Sequence, residues 1–562
     1  MQHPYGLLCV VPPVVAIVLA IVTRRPIVSL LIGIFCGALV TAGGNPIVAV
    51  ADTCEVHLWP TLIDPGKMRV FAFTLLMAGM IGVICQCGGM QGLIAMISPL
   101  AKNRRSGQLT AWFMGLLVFF DDYANTILLG GTLSPLCDRL RISREKLAYL
   151  VDSTAAPVAS LALLSTWIAV EVDYIGEGID GIGVSNDLKP IELFVASIPY
   201  RFYAWMALLM VPLVALMGRD FGPMLNSERD CISLPDSEHA ANNDAGRADQ
   251  ESSDPSGSVP PSRWYNAVAP IAMTLCVVVY LLYWTGMRGI DASPGGEPVS
   301  LRDILGAADS SLALQYGSLA GLLLAVVLCR IQGLLSPTQI VRATGNGMRV
   351  VLPAIAILWC ASALSRMTGN KSVEGASAAM YEFQDHRLYT GDYLAHLIMP
   401  PAAVGNDVAD GEGLMVVKLL PTGVFLLAAV LAFSTGTSFG TMGLLMPMSV
   451  TLVFGLLNQL EGGVDPSHPL LLACVASVLS GAVMGDHCSP ISDTTILSSQ
   501  ACGCDHISHV VTQFPYAVTV GLVSVALGTL PLGWGVSVWV LLPLQLATLV
   551  VILRVFGKRV ES

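Results

Sequence analysis

The chain has 562 residues, 54% of them hydrophobic and only 12% charged, with a mean hydropathy of +0.68 and a formal net charge of −11. About a quarter of the residues of an average soluble protein are charged, and a soluble domain must coat its outside with polar groups. This composition therefore excludes a string of soluble domains, and with it disorder, collagen and a disulfide scaffold. The expected fold class is an all-α polytopic membrane protein. Its cysteines stand singly in apolar stretches, as Cys36, Cys276, Cys329 and Cys474 do, which is packing usage.

Windows of about 20 apolar residues match a hydrocarbon core about 30 Å thick. The first covers residues 5–22, with Arg24 and Arg25 behind it and no basic residue that makes a signal-peptide start, so it reads as a membrane helix. Further windows follow at 27–49, 69–99, 147–171, 191–217, 264–286, 313–330, 343–366, 469–499, 509–530 and 533–553, giving about eleven spans. Two other apolar stretches, 108–137 and 414–449, are too long and too interrupted for one simple helix. Basic loops mark the cytoplasmic side. Arg24 and Arg25, the run Lys102-Asn103-Arg104-Arg105 and the run Arg139 to Lys146 place the N-terminus outside. Arg554, Lys558 and Arg559 place the C-terminus in the cytoplasm. Because 108–137 has basic flanks on both sides, it reads as a re-entrant hairpin with its tip near Asp121-Asp122-Tyr123. The stretch 414–449, flanked by acids, reads as a second hairpin entering from outside.

Residues 219–263 are polar and rich in Ser, Asp and Pro, and read as a disordered cytoplasmic linker. The linker divides the chain into a first membrane repeat, 1–218, and a second, 264–562, which includes a C-terminal helix. Each half carries five spans and one hairpin, and an odd number of crossings inverts the second half relative to the first. Inverted-topology repeats are characteristic of secondary transporters, whose sites lie near the midplane between the repeats. A local likeness agrees: Phe120 to Pro135 resembles Phe433 to Pro447, and each is followed by a carboxylate, small residues and a proline within a span. These are Asp152 to Pro157 and Asp486 to Pro490.

Five carboxylates fall in apolar territory: Asp121, Asp122, Asp152, Asp486 and Asp493. Each ionised Asp at a helix centre costs about 2.5–3.5 kcal/mol, so these groups must line a wet cavity, carry a proton or hold a cation. Pro157 and Pro490 are expected to break their helices and free backbone carbonyls. Ser153, Thr154, Ser489, Ser492, Thr494 and Thr495 surround the breaks with hydroxyls. Asn125 and Thr126 follow the first hairpin tip, while Thr435, Thr437, Ser438 and Thr441 fill the second. Carbonyls, hydroxyls and one carboxylate are the hard oxygen donors that a small alkali cation needs. Helix N-termini at the tips equally suit an anionic group.

Three segments carry a resemblance. They are Phe119-Phe120-Asp121-Asp122-Tyr123-Ala124-Asn125-Thr126, the run Ile142 to Tyr149 continuing through Val151-Asp152-Ser153-Thr154-Ala155-Ala156-Pro157, and Gly485-Asp486-His487-Cys488-Ser489-Pro490-Ile491-Ser492-Asp493-Thr494-Thr495. The chain resembles the NhaC-type Na+/H+ antiporter family over most of its length outside the linker. The run Pro400-Pro401 to Asp407 departs from the pattern. The resemblance implies paired hairpins, broken helices, a homodimer in the cell (inner) membrane, no cofactor, and Na+ and H+ competing at Asp152 or Asp486 by alternating access. Because the wider superfamily also carries organic acids and amino acids with sodium or protons, a small organic anion or amino acid is the alternative substrate. Its fixed counter-cation would be Arg201 or Arg366, but both fall near expected span ends.

Other readings explain less. Cys502-Gly503-Cys504-Asp505-His506 with His509 lacks a standard zinc spacing. His487 beside Asp486 is either a pH-sensitive group or a satisfied polar residue. Trp167 reads as an interfacial anchor at least as well as a substrate contact, with Glu171 near an outer vestibule. An intramembrane aspartyl protease would leave the hairpins unexplained, a passive channel does not need paired titratable sites, no phosphate loop points to ATP, and nothing points to nucleic acid.

Overall fold

The computed structural model describes residues 4–233, 263–289, 308–368 and 386–560, apart from 24, 98, 100, 164, 183–188, 391–392, 394–411, 462–464 and 466. Among the described residues, nine helices are long and apolar enough to cross a bilayer, or up to eleven when each of two bent pairs counts as one span. The chain is a polytopic all-α membrane protein. Two short helices open it, α1 (Val11–Thr23) and α2 (Pro26–Thr41), which pack on each other. At 13 and 16 residues both fall short of the about 20 expected of a span. Short α3 (Pro46–Asp52) and α4 (Trp59–Leu62) lead into the long α5 (Pro65–Gln86), and α6 (Gly89–Ile97) follows.

The centre of the first half is a helix–turn–helix, α7 (Arg104–Leu117) and α8 (Asp122–Arg139), then α9 (Arg144–Leu161) and α10 (Thr166–Ile182), whose axes bend by 48° across a four-residue break. With 14 residues, α7 is about 21 Å long, too short to cross the hydrocarbon core. A second bend of 47° separates the segment led by α11 (Pro190–Ser197) from α12 (Phe202–Met217). The strand β1 (Arg219–Asp220) and helix α13 (Gly222–Ser233) close this half. The expected linker is corrected at its start: residues 219–233 are folded, and 234–262 lie outside the described residues, as do Pro400, Pro401 and Asp407. Ion pairs explain the folding. Glu228 of α13 takes Arg104 and the backbone N–H of Ser143, and Lys146 takes Asp220.

The second half comprises α14 (Tyr265–Gly289), α15 (Ser310–Ile331), α16 (Pro337–Thr368), α17 (Glu412–Thr435), α18 (Ser438–Glu461), α19 (Pro469–Cys488), α20 (Asp493–Cys502), α21 (His506–Ser524), α22 (Leu530–Gly533), α23 (Val538–Val555) and β2 (Lys558–Arg559), antiparallel to β1. Here the expected hairpin at 414–449 needs correction. Both α17 and α18 have 24 residues and each is apolar enough to span, because the apolar run continues past 449 to Glu461.

Long helices approach closely where small residues face each other. The Cα atoms of Gly82 on α5 and Gly347 on α16 are so near that a Cβ on Gly82 would lie 2.3 Å from the Ala343 carbonyl oxygen, and one on Gly347 2.2 Å from that of Ala78. Ala78/Gly82 and Ala343/Gly347 are small residues four apart, the spacing that lets membrane helices cross at backbone contact. Around the centre the packing is reciprocal: α8 lies against α9 and α20, whereas α18 lies against α19 and α10.

Candidate functional site

The two helix breaks meet the two helix–helix turns. After Leu161, the break at 162–165 ends in Ser165, whose hydroxyl donates to the Ala159 carbonyl (2.8 Å) and accepts from the N–H groups of Trp167 and Ile168. The N–H of Thr166, otherwise an orphan at the helix start, donates to the Phe120 carbonyl in the α7–α8 turn at 2.9 Å. In the second half, Ser489 donates to the Phe433 carbonyl at 2.7 Å, and the Pro490 carbonyl lies 2.6 Å from His506 Nε2. Gly436, at φ +67°, sits so near that a Cβ there would come within 2.5 Å of the Ile491 carbonyl oxygen. Trp167 joins the two regions, its ring 5.0 Å from that of Phe439 at the start of α18. Pro490 thus stands in its break. Pro157 does not: it is inside continuous α9, which ends at Leu161.

Asp152 is completely buried on α9. Its Oδ2 accepts from Gln513 Nε2 at 2.5 Å and from Thr495 Oγ1 at 3.3 Å, and stands 3.6 Å from His509 Nε2. Its Oδ1 is buried without a hydrogen-bond partner. Among the described residues no lysine or arginine pairs with it. Asp486 is also buried, near the end of α19; its Oδ2 accepts from Thr494 Oγ1 at 3.4 Å, and its backbone carbonyl is 3.4 Å from Thr495 Oγ1. Thr495 is therefore within reach of both aspartates. His487 completes the connection: Nε2 lies 2.9 Å from the Asp152 carbonyl oxygen, Nδ1 lies 3.0 Å from Tyr203 Oη, and the His487 carbonyl accepts from Gln513 Nε2 at 2.9 Å.

Measured from the breaks, the two aspartates are not counterparts. Asp152 lies nine residues before the last residue of α9, Asp486 only two before the last of α19. The structure brings them together from different depths of their helices.

The other expected donors divide. Asp121, Asp122, Asn125 and Thr126 are buried at the start of α8. Asn125 Nδ2 ties α8 to the Gly115 and Thr154 carbonyls at 2.9 and 3.0 Å, while Asn125 Oδ1 and Asp122 Oδ1 are buried without partners. Thr126, Thr154, Thr435 and Thr441 donate back to the carbonyl four residues earlier, so their protons are occupied. Ser438 donates to the Ala482 carbonyl (3.3 Å), Thr437 Oγ1 accepts from the Gly440 N–H, Ser492 lies 3.1 Å from Thr494 Oγ1, and Ser153 is buried. Asp493 opens α20, but its side chain lies outside the described residues.

Three expectations fail. Trp167 is no interfacial anchor; it is 1% exposed and packed between the halves. Glu171 lines no vestibule, and Arg201 is not at a span end. Both are completely buried, with Arg201 Nη1 2.8 Å from Glu171 Oε2 and also on the Ser160 carbonyl. Arg201 sits there because the chain bends at Tyr200–Phe202. The Cys502–His509 segment is divided: Gly503, at φ +64°, caps α20, His509 turns to Ser498 and Asp152, and His506 to the Pro490 carbonyl.

Gln513 and Tyr203 belong to none of the sequence motifs, and His509 stands out in the sequence only beside Cys502 and Cys504. A signal existed. His509, Thr512, Gln513 and Tyr516 are spaced as one stripe of an α-helix inside an otherwise apolar span, and all four are buried.

Comparison with known proteins agrees with this architecture. The model of the Na+/H+ antiporter family matches residues 158–373 and 412–534. An uncharacterised protein of Haemophilus influenzae is 29% identical over 556 residues, covering 98% of this chain and 95% of its own. The arginine/ornithine antiporter ArcD of Halobacterium salinarum is 37% identical over 102 residues, 18% of this chain and 19% of its own. The solved structure of the Alcanivorax borkumensis YdaH transporter superposes with a TM-score of 0.53 at 14% identity, covering 87% of this chain and 90% of that one.

Proposed function

The chain belongs to the Na+/H+ antiporter family, and from that premise we propose that this secondary transporter exchanges Na+ for H+ across the cell membrane at a site centred on Asp152. The observation that carries the reading is the state of the Asp152 carboxylate. It is wholly buried, its donors are a neutral amide and a hydroxyl with His509 Nε2 3.6 Å away, no lysine or arginine pairs with it among the described residues, and one oxygen is open. A buried carboxylate without a counter-charge takes up a mobile one, and Na+ and a proton exclude each other there. Carbonyls and hydroxyls at the breaks, with Asp486 close by, supply the remaining hard donors. The reciprocal packing of α8 and α18 supports two inverted halves that rock against each other. Basic residues at the end that carries α13 and β2 support a cytoplasmic C-terminus, and family resemblance a homodimer.

A second reading, amino-acid exchange, is favoured by the partial match to the arginine/ornithine antiporter. Against an organic anion, the charge of Arg201 is already matched by Glu171. Proteoliposomes with a lumenal pH dye separate the readings. A pH gradient collapsed by Na+ but not choline supports cation exchange. A gradient indifferent to Na+, Li+ and K+, in vesicles that take up labelled arginine or ornithine, replaces it with amino-acid exchange.

A further inference from the structure

We propose that the corner of the bundle where β1 meets β2 is a binding site for an anionic phospholipid. Two cavities flank this ribbon. One, of about 240 Å³, is lined by Arg104, Arg105, Arg559, Gln108 and Asp220 together with Gly218 and small apolar residues. The other, of about 510 Å³, is lined by Phe221, Thr519, Leu522, Val523, Ile552 and Phe556. Both draw on the same two segments of chain, 218–222 and 556–560.

Three guanidinium groups and one carboxylate line the first cavity, and Asp220 is already held by Lys146 and by Tyr516 Oη at 2.5 Å. Arg104 has a partner in Glu228. Arg105 has none among the described residues, and its guanidinium lies beside Gly218, 3.4 Å from where a Cβ there would be. Arginine presents a planar fork of donors matched to phosphate oxygens. Gly218, the left-handed C-cap at φ +60°, ends α12 and with it the apolar segment that runs to Met217, so the cavity stands at the end of a candidate span, the level at which headgroups bind.

The second cavity supplies the apolar half of the ligand. Leu522 on α21 and Phe556, just past the end of α23, are 64% and 69% exposed, so the groove is open and apolar on its outer side, as an acyl chain requires. A free anion would use only the basic cavity; a headgroup phosphate with an acyl chain uses both. Basic pockets between membrane helices are the setting in which anionic headgroups bind. Because the site joins α7, the end of α12 and the C-terminal tail, an occupied site staples both halves of the chain at one edge.

The test uses the purified full-length chain in a neutral detergent. Binding of phosphatidylglycerol, phosphatidylcholine and inorganic phosphate is titrated by tryptophan fluorescence and thermal shift, for the parent, Arg105→Ala/Arg559→Ala and Leu522→Trp. Each basic residue near an anionic headgroup contributes about fivefold in affinity. Phosphatidylglycerol should therefore bind the parent more tightly than phosphatidylcholine, and the double arginine variant should weaken it roughly thirtyfold, to the phosphatidylcholine level. Leu522→Trp, which fills the groove, should weaken both lipids alike. Unchanged melting of each variant without lipid shows that it folds; if the double variant melts early, Arg105→Ala alone should show the fivefold loss. Equal binding of the two lipids by the parent, or a preference retained in the arginine variants, overturns the proposal. Saturation by inorganic phosphate that excludes phosphatidylglycerol equally overturns it, in favour of a free-anion site.

Discussion

Replacing Asp152 by Asn separates a transport carboxylate from a structural one, because the two roles predict opposite changes in stability. Asn keeps the volume and can still accept from Gln513 and Thr495 on one side. It removes the charge. A sodium ion about 2.4 Å from a carboxylate oxygen, at an effective dielectric of about 20, gains about 7 kcal/mol. If the ion's own desolvation offsets half of that, the loss is still several hundredfold in Na+ affinity. An amide also cannot take up the counter-transported proton. Na+-driven proton flux in proteoliposomes should therefore vanish at every Na+ concentration. Stability should move the other way. Asp152 is buried with no lysine or arginine beside it among the described residues, and His509 stands 3.6 Å away, so with a neutral His509 the parent bears a desolvation cost that the variant lacks. The melting temperature should hold or rise. Flux above a tenth of the parent's would remove Asp152 from the transport site. A clear drop in melting temperature would assign it a structural role instead.

Arg201→Gln strands the Glu171 charge in the interior and should cost about 3–5 kcal/mol, with most of it recovered in Glu171→Gln/Arg201→Gln; thermal melting of the four proteins checks this. Gly436→Ala combines a left-handed backbone with a Cβ on the Ile491 carbonyl and should destabilise by about 1–3 kcal/mol, seen as earlier melting and reduced flux. Phe439→Ala removes the ring contact with Trp167, worth about 0.5–1.5 kcal/mol beyond its area, and should slow exchange more than it lowers melting, whereas Phe439→Leu should keep part of the rate.

Much of the site was legible because a charge in an apolar span is costly, and a costly residue needs a reason to be there. Composition and span windows sufficed for the fold class, and the intramembrane aspartates pointed to Asp152 and Asp486, which fold to within reach of one threonine, Thr495. The matched hairpins were less legible. An apolar run records only that a segment is in lipid, so the stretch that continues to Glu461 does not tell one hairpin from two full-length helices. Proline misled in the same way: Pro157 is accommodated within α9, and the chain breaks only after Leu161. Arg201 was misplaced because a window of hydropathy averages over the bend at Tyr200–Phe202 that buries it. Gln513 and His509 were hidden for a different reason. They are neutral or weakly charged, so a count of charges within spans passes over them, and only their helical spacing with Thr512 and Tyr516 marks a polar face. That face is what turns toward Asp152. Polar stripes within spans, taken together with charges, therefore mark the carboxylate and its donors at once.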